Sequence, residues 1–324
     1  MSRPRRRALI ALQIAFAVAV AWFAGRTIQR QWAAIEAAQL AIHPRWSWII
    51  LASLIILAAY LVLIALWVIH LRDWRQRVSF VTAARIWFIS SFGRYVPGKV
   101  ASLGTMAVMA ERRGVSGVAA VGSSIVVMLI GIVAGLAVVL VTGARVVQAV
   151  LQGNGLIVPA WTFSAVVAVA TGALLMAPIV LPRLAGIVAR MSGRETVLPS
   201  LPASSVWLVA VGSGLSWILY GIAFQLFAVG MLGRGAGGPS GYIAVYTAAY
   251  LAGFLSLIPG GFVVREAALV LGLTALNLVT APEAGLLALT SRIWITILEL
   301  LPGALFLLTR TEGRTLGQGT PASP

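Results

Sequence analysis

At 324 residues, 60% hydrophobic and only 10% charged, with a mean hydropathy of +0.99, the chain lacks the charge that a soluble domain of this length needs to cover its surface. The net charge of +16 does not single out nucleic acid, because nearly all the arginines lie in short loops between apolar runs, where they set topology and meet anionic lipid headgroups. With no cysteine present, disulfides and thiol chemistry are excluded.

In chain order, a basic MSRPRRR precedes the apolar run 8–24. No small-x-small cleavage site followed by a soluble domain appears, so this run reads as an uncleaved first helix. Further uninterrupted runs lie at 47–69, 117–142, 158–181, 205–231 and 284–308, each near the ~20 residues that cross a ~30 Å hydrocarbon core. Two other apolar stretches, 80–113 and 242–276, are broken near the middle, at Pro97-Gly98 and at Pro259-Gly260-Gly261. Proline removes a backbone donor and disfavours helix in the residue before it, while glycine permits a reversal. Each broken stretch is therefore expected to be a re-entrant hairpin of two half-length helices, its tip covered by protein or by a water-filled cavity.

Pro97 and Pro259 lie 162 positions apart, and the same shift carries 47–69 onto 209–231 and 117–142 onto 279–304. The expected fold is an all-α integral membrane protein with one transmembrane domain over 1–314 and a polar tail at 315–324. It has two inverted helix–re-entrant hairpin–helix repeats, about 47–142 and 205–308, plus a linking helix at 158–181 and an extra N-terminal helix. Arginine placement supports both termini inside. The segments 1–7, 70–78, 111–114 and 182–196 and the tail with Arg310 and Arg314 are basic, whereas 143–157 and 232–241 carry one arginine each. The loop 25–46, with Arg26, Arg30 and Arg45, runs against this trend. Hairpin one then dips in from the cytoplasm and hairpin two from outside, with tips expected to meet near the midplane.

The stretch SSFGRYVPGKV, followed much later by AGFLSLIPGGFVVREAAL at 252–269, resembles the membrane domain of the lysylphosphatidylglycerol synthase/flippase family. The resemblance covers nearly the whole chain. Two-domain members carry a soluble aminoacyl-transferase domain after the membrane part; here TRTEGRTLGQGTPASP ends the sequence, so the resemblance implies lipid movement between leaflets without aminoacyl transfer. It also implies residence in the bacterial inner (cytoplasmic) membrane.

The chemistry of the residues is limited. Gly93-x-x-x-x-Gly98-Lys99 mimics a nucleotide-binding loop, but Val100 replaces the magnesium-binding hydroxyl and no strand precedes it. No nucleotide, cofactor, metal or catalytic residue is expected. Arg94 and Lys99, the only lysine of the chain, flank the first tip, where exposed N–H groups of a starting half-helix also attract anions. With Pro97, Gly98, Pro259, Gly260 and Gly261 they form the expected substrate site. Arg265 and Glu266 follow the second tip, and Arg292 and Glu299 sit seven apart on the last helix. These four join the site as a gate, a proton relay or a structural ion network, since intramembrane charges are costly and tend to line a path. Glu283 suits the N-terminus of the last helix. His43 and His70 are expected at the solvated interface, Asp73 in a solvated loop pair, and Trp22, Trp46, Trp48, Trp67, Trp74 and Trp161 in an aromatic belt.

The expected function is that of a flippase or scramblase for an anionic or amphiphilic lipid, phospholipid or polyprenyl-linked. The partner is a membrane lipid with an anionic headgroup, with no role for nucleic acid; a homo-oligomer and a lipid-modifying enzyme partner both stay open. The alternative is a membrane-bound glycosyl- or lipid-modifying transferase, or an accessory subunit of one. Eight acids in total and no Asp-x-Asp pair count against glycosyl transfer, which needs a base or a metal-binding acidic pair.

Overall fold

A computed structural model of the chain describes residues 44–95, 100–153 and 202–309 without 236, 257–260 and 262, together with single positions between 161 and 183; side chains at 94, 95, 100 and 144–153 are not described. The expected first helix at 8–24, most of the linking helix, and both Pro-Gly tips therefore lie outside the described residues. The described fold is all-helical. Among the described residues four helices are long and apolar enough to span a membrane: α1 (Trp46–Asp73), α4 (Gly117–Gly153, apolar as far as Gly143), α5 (Ala203–Leu232) and α8 (Ala281–Leu308). Four are shorter: α2 (Phe80–Ser91), α3 (Val100–Glu111), α6 (Pro239–Leu255) and α7 (Val264–Ala275).

Local sequence explains the boundaries. The Ser79 hydroxyl accepts from Thr82 N at 3.3 Å and starts α2. Gly233, in the left-handed region at φ 69°, ends α5. Proline opens α6 at its first turn. At α8 the Glu283 carboxylate accepts from Thr280 N and Thr280 Oγ1, both at 2.9 Å, and the Arg234 guanidinium reaches it from the loop between α5 and α6 at 2.5 Å. The acid at the head of α8 thus caps it and also anchors the α5–α6 loop.

The two broken stretches fold back on themselves. After α2 a single 3₁₀ turn, Phe92–Tyr95, leads toward the tip. A Cβ placed on Gly93 would fall 2.5 Å from Ser102 N, so the two arms touch backbone to backbone there. In the second stretch a Cβ on Gly261 (φ +65°) would fall 2.7 Å from Gly253 O. Arms of 12 residues are about 18 Å long, too short to cross a ~30 Å core.

The long helices pack around these hairpins. α1 and α5 form the most extensive seam; α4 lies against α5 and α6, and α8 against α2 and α7. Lipid tails are as apolar as leucine, so close packing and hydrogen bonds hold such helices together. Close approach is built in on α5, where Gly212 receives Leu66, Gly221 receives the backbone of Ile243, and Gly230 receives Ile49. Indoles add polar ties: buried Trp67 Nε1 donates to Ser123 Oγ at 2.9 Å and half-buried Trp217 Nε1 to Gly131 O at 2.8 Å. Outward-facing Leu308, Val141, Leu305 and Leu307 are exposed, as lipid-facing residues are. This is a multi-pass membrane protein.

Several sequence expectations are corrected. α1 continues to Asp73, so His70 is fully buried beneath Trp74, and Asp73 accepts a hydrogen bond from Ser205 Oγ at the head of α5. Trp67 and Trp74 are core residues at 0% and 4% exposure, whereas Trp46 and Trp161 are exposed as a belt requires. The backbone from 143 to 153 continues α4 and does not form a loop. His43 and Trp22 lie outside the described residues.

Candidate functional site

The charged residues that sequence placed in the last third of the chain converge. Val263 adopts φ +72°, a strained conformation for a β-branched residue, and its N–H donates to Glu266 Oε2 at 2.7 Å. That bond caps α7 from within its own first turn. Glu266 Oε1 lies 3.7 Å from Arg265 Nη1 and 3.7 Å from Arg292 Nη1 on α8. One carboxylate therefore bridges two guanidiniums on two helices. Arg265 is 3% exposed, packs against a glycine at position 253, and has its guanidinium carbon 5.5 Å from the Tyr246 ring centroid and 6.0 Å from that of Tyr250. Such cation–aromatic contacts are worth about 2 kcal/mol when desolvated.

Glu299 stands seven residues beyond Arg292, about 10 Å along α8. It accepts from Tyr60 Oη of α1 at 3.1 Å and is 5% exposed. Tyr60 in turn meets Phe88 of hairpin one and Tyr220 of α5 edge-on, each at 5.8 Å between centroids. One turn past Glu299, Gly303 lets Phe92 and the Phe88 carbonyl of hairpin one approach α8 closely. Both hairpins thus abut the same helix, hairpin two at Arg292 and hairpin one at Gly303, eleven residues and about 16 Å apart. Among the described residues no extensive packing joins hairpin to hairpin.

Two polar groups in this cluster are incomplete. Arg265 Nε and Nη2 and Glu266 Oε1 are buried without a hydrogen-bond partner. An unsatisfied buried charge is expensive, more so in hydrocarbon; the ion pairs at 3.7 Å and the Tyr246 and Tyr250 rings offset part of that cost, and a water or polar ligand would satisfy the remainder. Arg265, Glu266, Arg292 and Glu299 sum to zero charge, so this side of the site is self-neutral.

The expected site residues therefore divide. Arg265, Glu266 and Arg292 are brought together, with Glu299 further along the same helix. Gly261 sits at the second turn, its φ and its contact with Gly253 requiring glycine. The Arg94 backbone lies in the 3₁₀ turn; its side chain, and Pro97, Gly98, Lys99, Pro259 and Gly260 entirely, lie outside the described residues. Sequence reasoning missed Tyr60, Tyr220, Tyr246 and Tyr250. Their signal was present in part: Tyr246 and Tyr250 are one helical turn apart, and a hydroxyl in mid-span needs a partner.

No curated protein and no solved structure matches the chain. The lysylphosphatidylglycerol synthase TM region, a family of membrane domains implicated in lipid handling, matches residues 10–303. That match takes in the four long spans up to Gly303, both folded-back stretches and the whole buried charge cluster. The chain belongs to the lysylphosphatidylglycerol synthase transmembrane-region family.

Proposed function

We propose that the protein moves an anionic or amphiphilic membrane lipid between leaflets, as a flippase or scramblase, through a polar passage between the two hairpin tips. The observation that carries the reading is the Arg265–Glu266–Arg292 cluster, buried at Arg265 and partly buried at the other two, with orphaned polar atoms beside a helix break. In a membrane chain such groups line a path by default. Arg94 and Lys99 would neutralise the headgroup, while the acyl or prenyl tails stay in the bilayer.

The packing supports an inverted repeat. Exchanging α1 with α5, α2 with α6, α3 with α7 and α4 with α8 turns α4 against α6 into α8 against α2, and α3 against α4 into α7 against α8. The α1–α5 seam maps onto itself, as it would at a two-fold axis. Phe92 and Phe254 also correspond under the Pro97-to-Pro259 shift. The arginine bias then supports both termini on the cytoplasmic side. Because the native chain has no cysteine, single cysteines at 320 and 236 should label from opposite faces; labelling from one face would remove this topology.

The energy source need not be chemical. A potential of 100 mV contributes about 2.3 kcal/mol per charge to outward movement of an anion from a cell negative inside. In vesicles reconstituted with the protein, Lys99→Ala and Arg94→Ala should abolish transfer of an anionic lipid while leaving the protein folded. Unchanged rates in both variants would remove the headgroup role. The proposal also makes the protein a transporter and not a transferase; a headgroup mass altered after incubation would reverse that.

A further inference from the structure

The mouth of hairpin one holds a second feature, separate from the tips. Between α2, α3 and the end of α8 lies a cavity of ≈ 710 Å³, its rim carrying Arg85 from one arm and Arg112 and Arg113 from the other. Its wall is apolar, with Ile89, Val108 and Leu307; Val108 and Leu307 are exposed where lipid tails would lie. No acid lines it. The nearest in sequence, Glu111, turns instead to Gly117 at the head of α4. Arg85 Nη2 donates to Thr309 O at 3.1 Å, which uses one of the five guanidinium donors and ties the end of α8 across the mouth.

Cations gathered on opposed arms repel unless an anion lies between them. Guanidiniums match phosphate in geometry. A pocket with a cationic rim and an apolar wall open to the bilayer fits only a ligand with both characters. The geometry points to a binding site for a phosphate-bearing amphiphile, its phosphate on Arg85 and Arg112 and one chain along Ile89, Val108 and Leu307. Arg85 precedes Arg94 by nine residues, about 13 Å of helix, so the site is where the lipid loads before reaching the tip. That loading role rests on the transport reading; the binding does not.

Gly104 gives a clean probe. It lines the cavity, and a Cβ there would meet nothing within 4 Å, so Gly104→Leu places its side chain in the cleft with no clash at Cβ. Detergent-purified full-length protein would be titrated with dioctanoyl-phosphatidate, dioctanoyl-phosphatidylcholine and glycerol 3-phosphate. Phosphatidate is expected to bind at least tenfold more tightly than phosphatidylcholine, and glycerol 3-phosphate at least a hundredfold more weakly than phosphatidate. Gly104→Leu and the Arg85→Gln/Arg112→Gln pair should each weaken phosphatidate at least tenfold, with the thermal unfolding midpoint of Gly104→Leu unchanged. Unaltered binding in both variants would overturn the site, and equal affinity for glycerol 3-phosphate would make it one for soluble phosphates. In vesicles the variants should slow transfer in proportion. Binding lost with transfer unchanged would overturn the loading role alone. Wild-type protein that binds phosphatidate in the cleft yet transfers no lipid would sink the transport reading and leave the cleft standing.

Discussion

The two hairpins share a plan and differ in how they handle charge. Hairpin two is closed and self-neutral. Its turn is set by Gly261 at φ +65° against Gly253, its second arm is capped by its own Glu266, and that carboxylate meets Arg265 beside it and Arg292 across on α8. Hairpin one is cationic. Between Phe80 and Ala110 it has Arg85, Arg94 and Lys99 and no acid. The helices that follow the hairpins differ in the same sense: α4 carries no charge from Gly117 to Gly143, while α8 carries Arg292 and Glu299. One folded-back stretch is thus braced by paired charges, and the other carries an excess of positive charge in its sequence. On the transport proposal the braced stretch fixes one wall of the passage, and the excess charge of the other meets the ligand.

If this division holds, lesions in hairpin two should register mainly as unfolding and lesions in hairpin one as lost transfer. The largest effect is expected for Gly261→Ala, where a Cβ is strained at positive φ and also collides with the Gly253 backbone. A cost of about 3 kcal/mol or more should leave little monodisperse protein after size exclusion. Gly93→Ala meets only the collision with Ser102, so it should cost less, about 1–3 kcal/mol; equal losses would break the comparison. Next comes Glu266→Gln, which keeps an acceptor for Val263 N–H but deprives buried Arg265 of its counter-charge. About 3 kcal/mol of destabilisation is expected, read as a lower unfolding midpoint in detergent. A midpoint unmoved by Glu266→Gln, with transfer lost, would make the cluster a gate and not a brace. Smallest is Arg234→Gln at the rim, whose partner Glu283 keeps its bonds to Thr280. With the arginine side chain 56% exposed, a change below about 1 kcal/mol is expected.

Helices and breaks were legible in the sequence because they depend on local composition. The runs at 47–69, 205–231 and 284–308 become α1, α5 and α8 with ends moved by a few residues, and α-helix stops at Ser91 and at Leu255, short of each Pro-Gly break. The Glu266–Arg292 pair was legible as well, since scarce acids in a membrane chain have few partners. Tertiary surroundings were not. His70 looked interfacial because an arginine-rich segment follows it, yet a further turn of α1 and the rings around it bury it. Tyr60 gave no sign of Glu299, which lies 239 residues away, and aromatic residues in an apolar run look alike whether they face lipid or a carboxylate. The cleft between α2 and α3 was invisible for a similar reason: Arg112 and Arg113 read as a topology signal, and only the folded arms bring them opposite Arg85.

The hydrogen bond from Arg85 to Thr309 spans 224 residues, and the inward face of α2 rests on α8, which the ribosome makes long after α2. At 5–20 residues per second, roughly ten to forty seconds separate the emergence of the two. Throughout that interval hairpin one, with arms of 12 residues too short to cross, lacks the helix that covers it. Its cover therefore comes only with α8, a late-made element closing an early-made one.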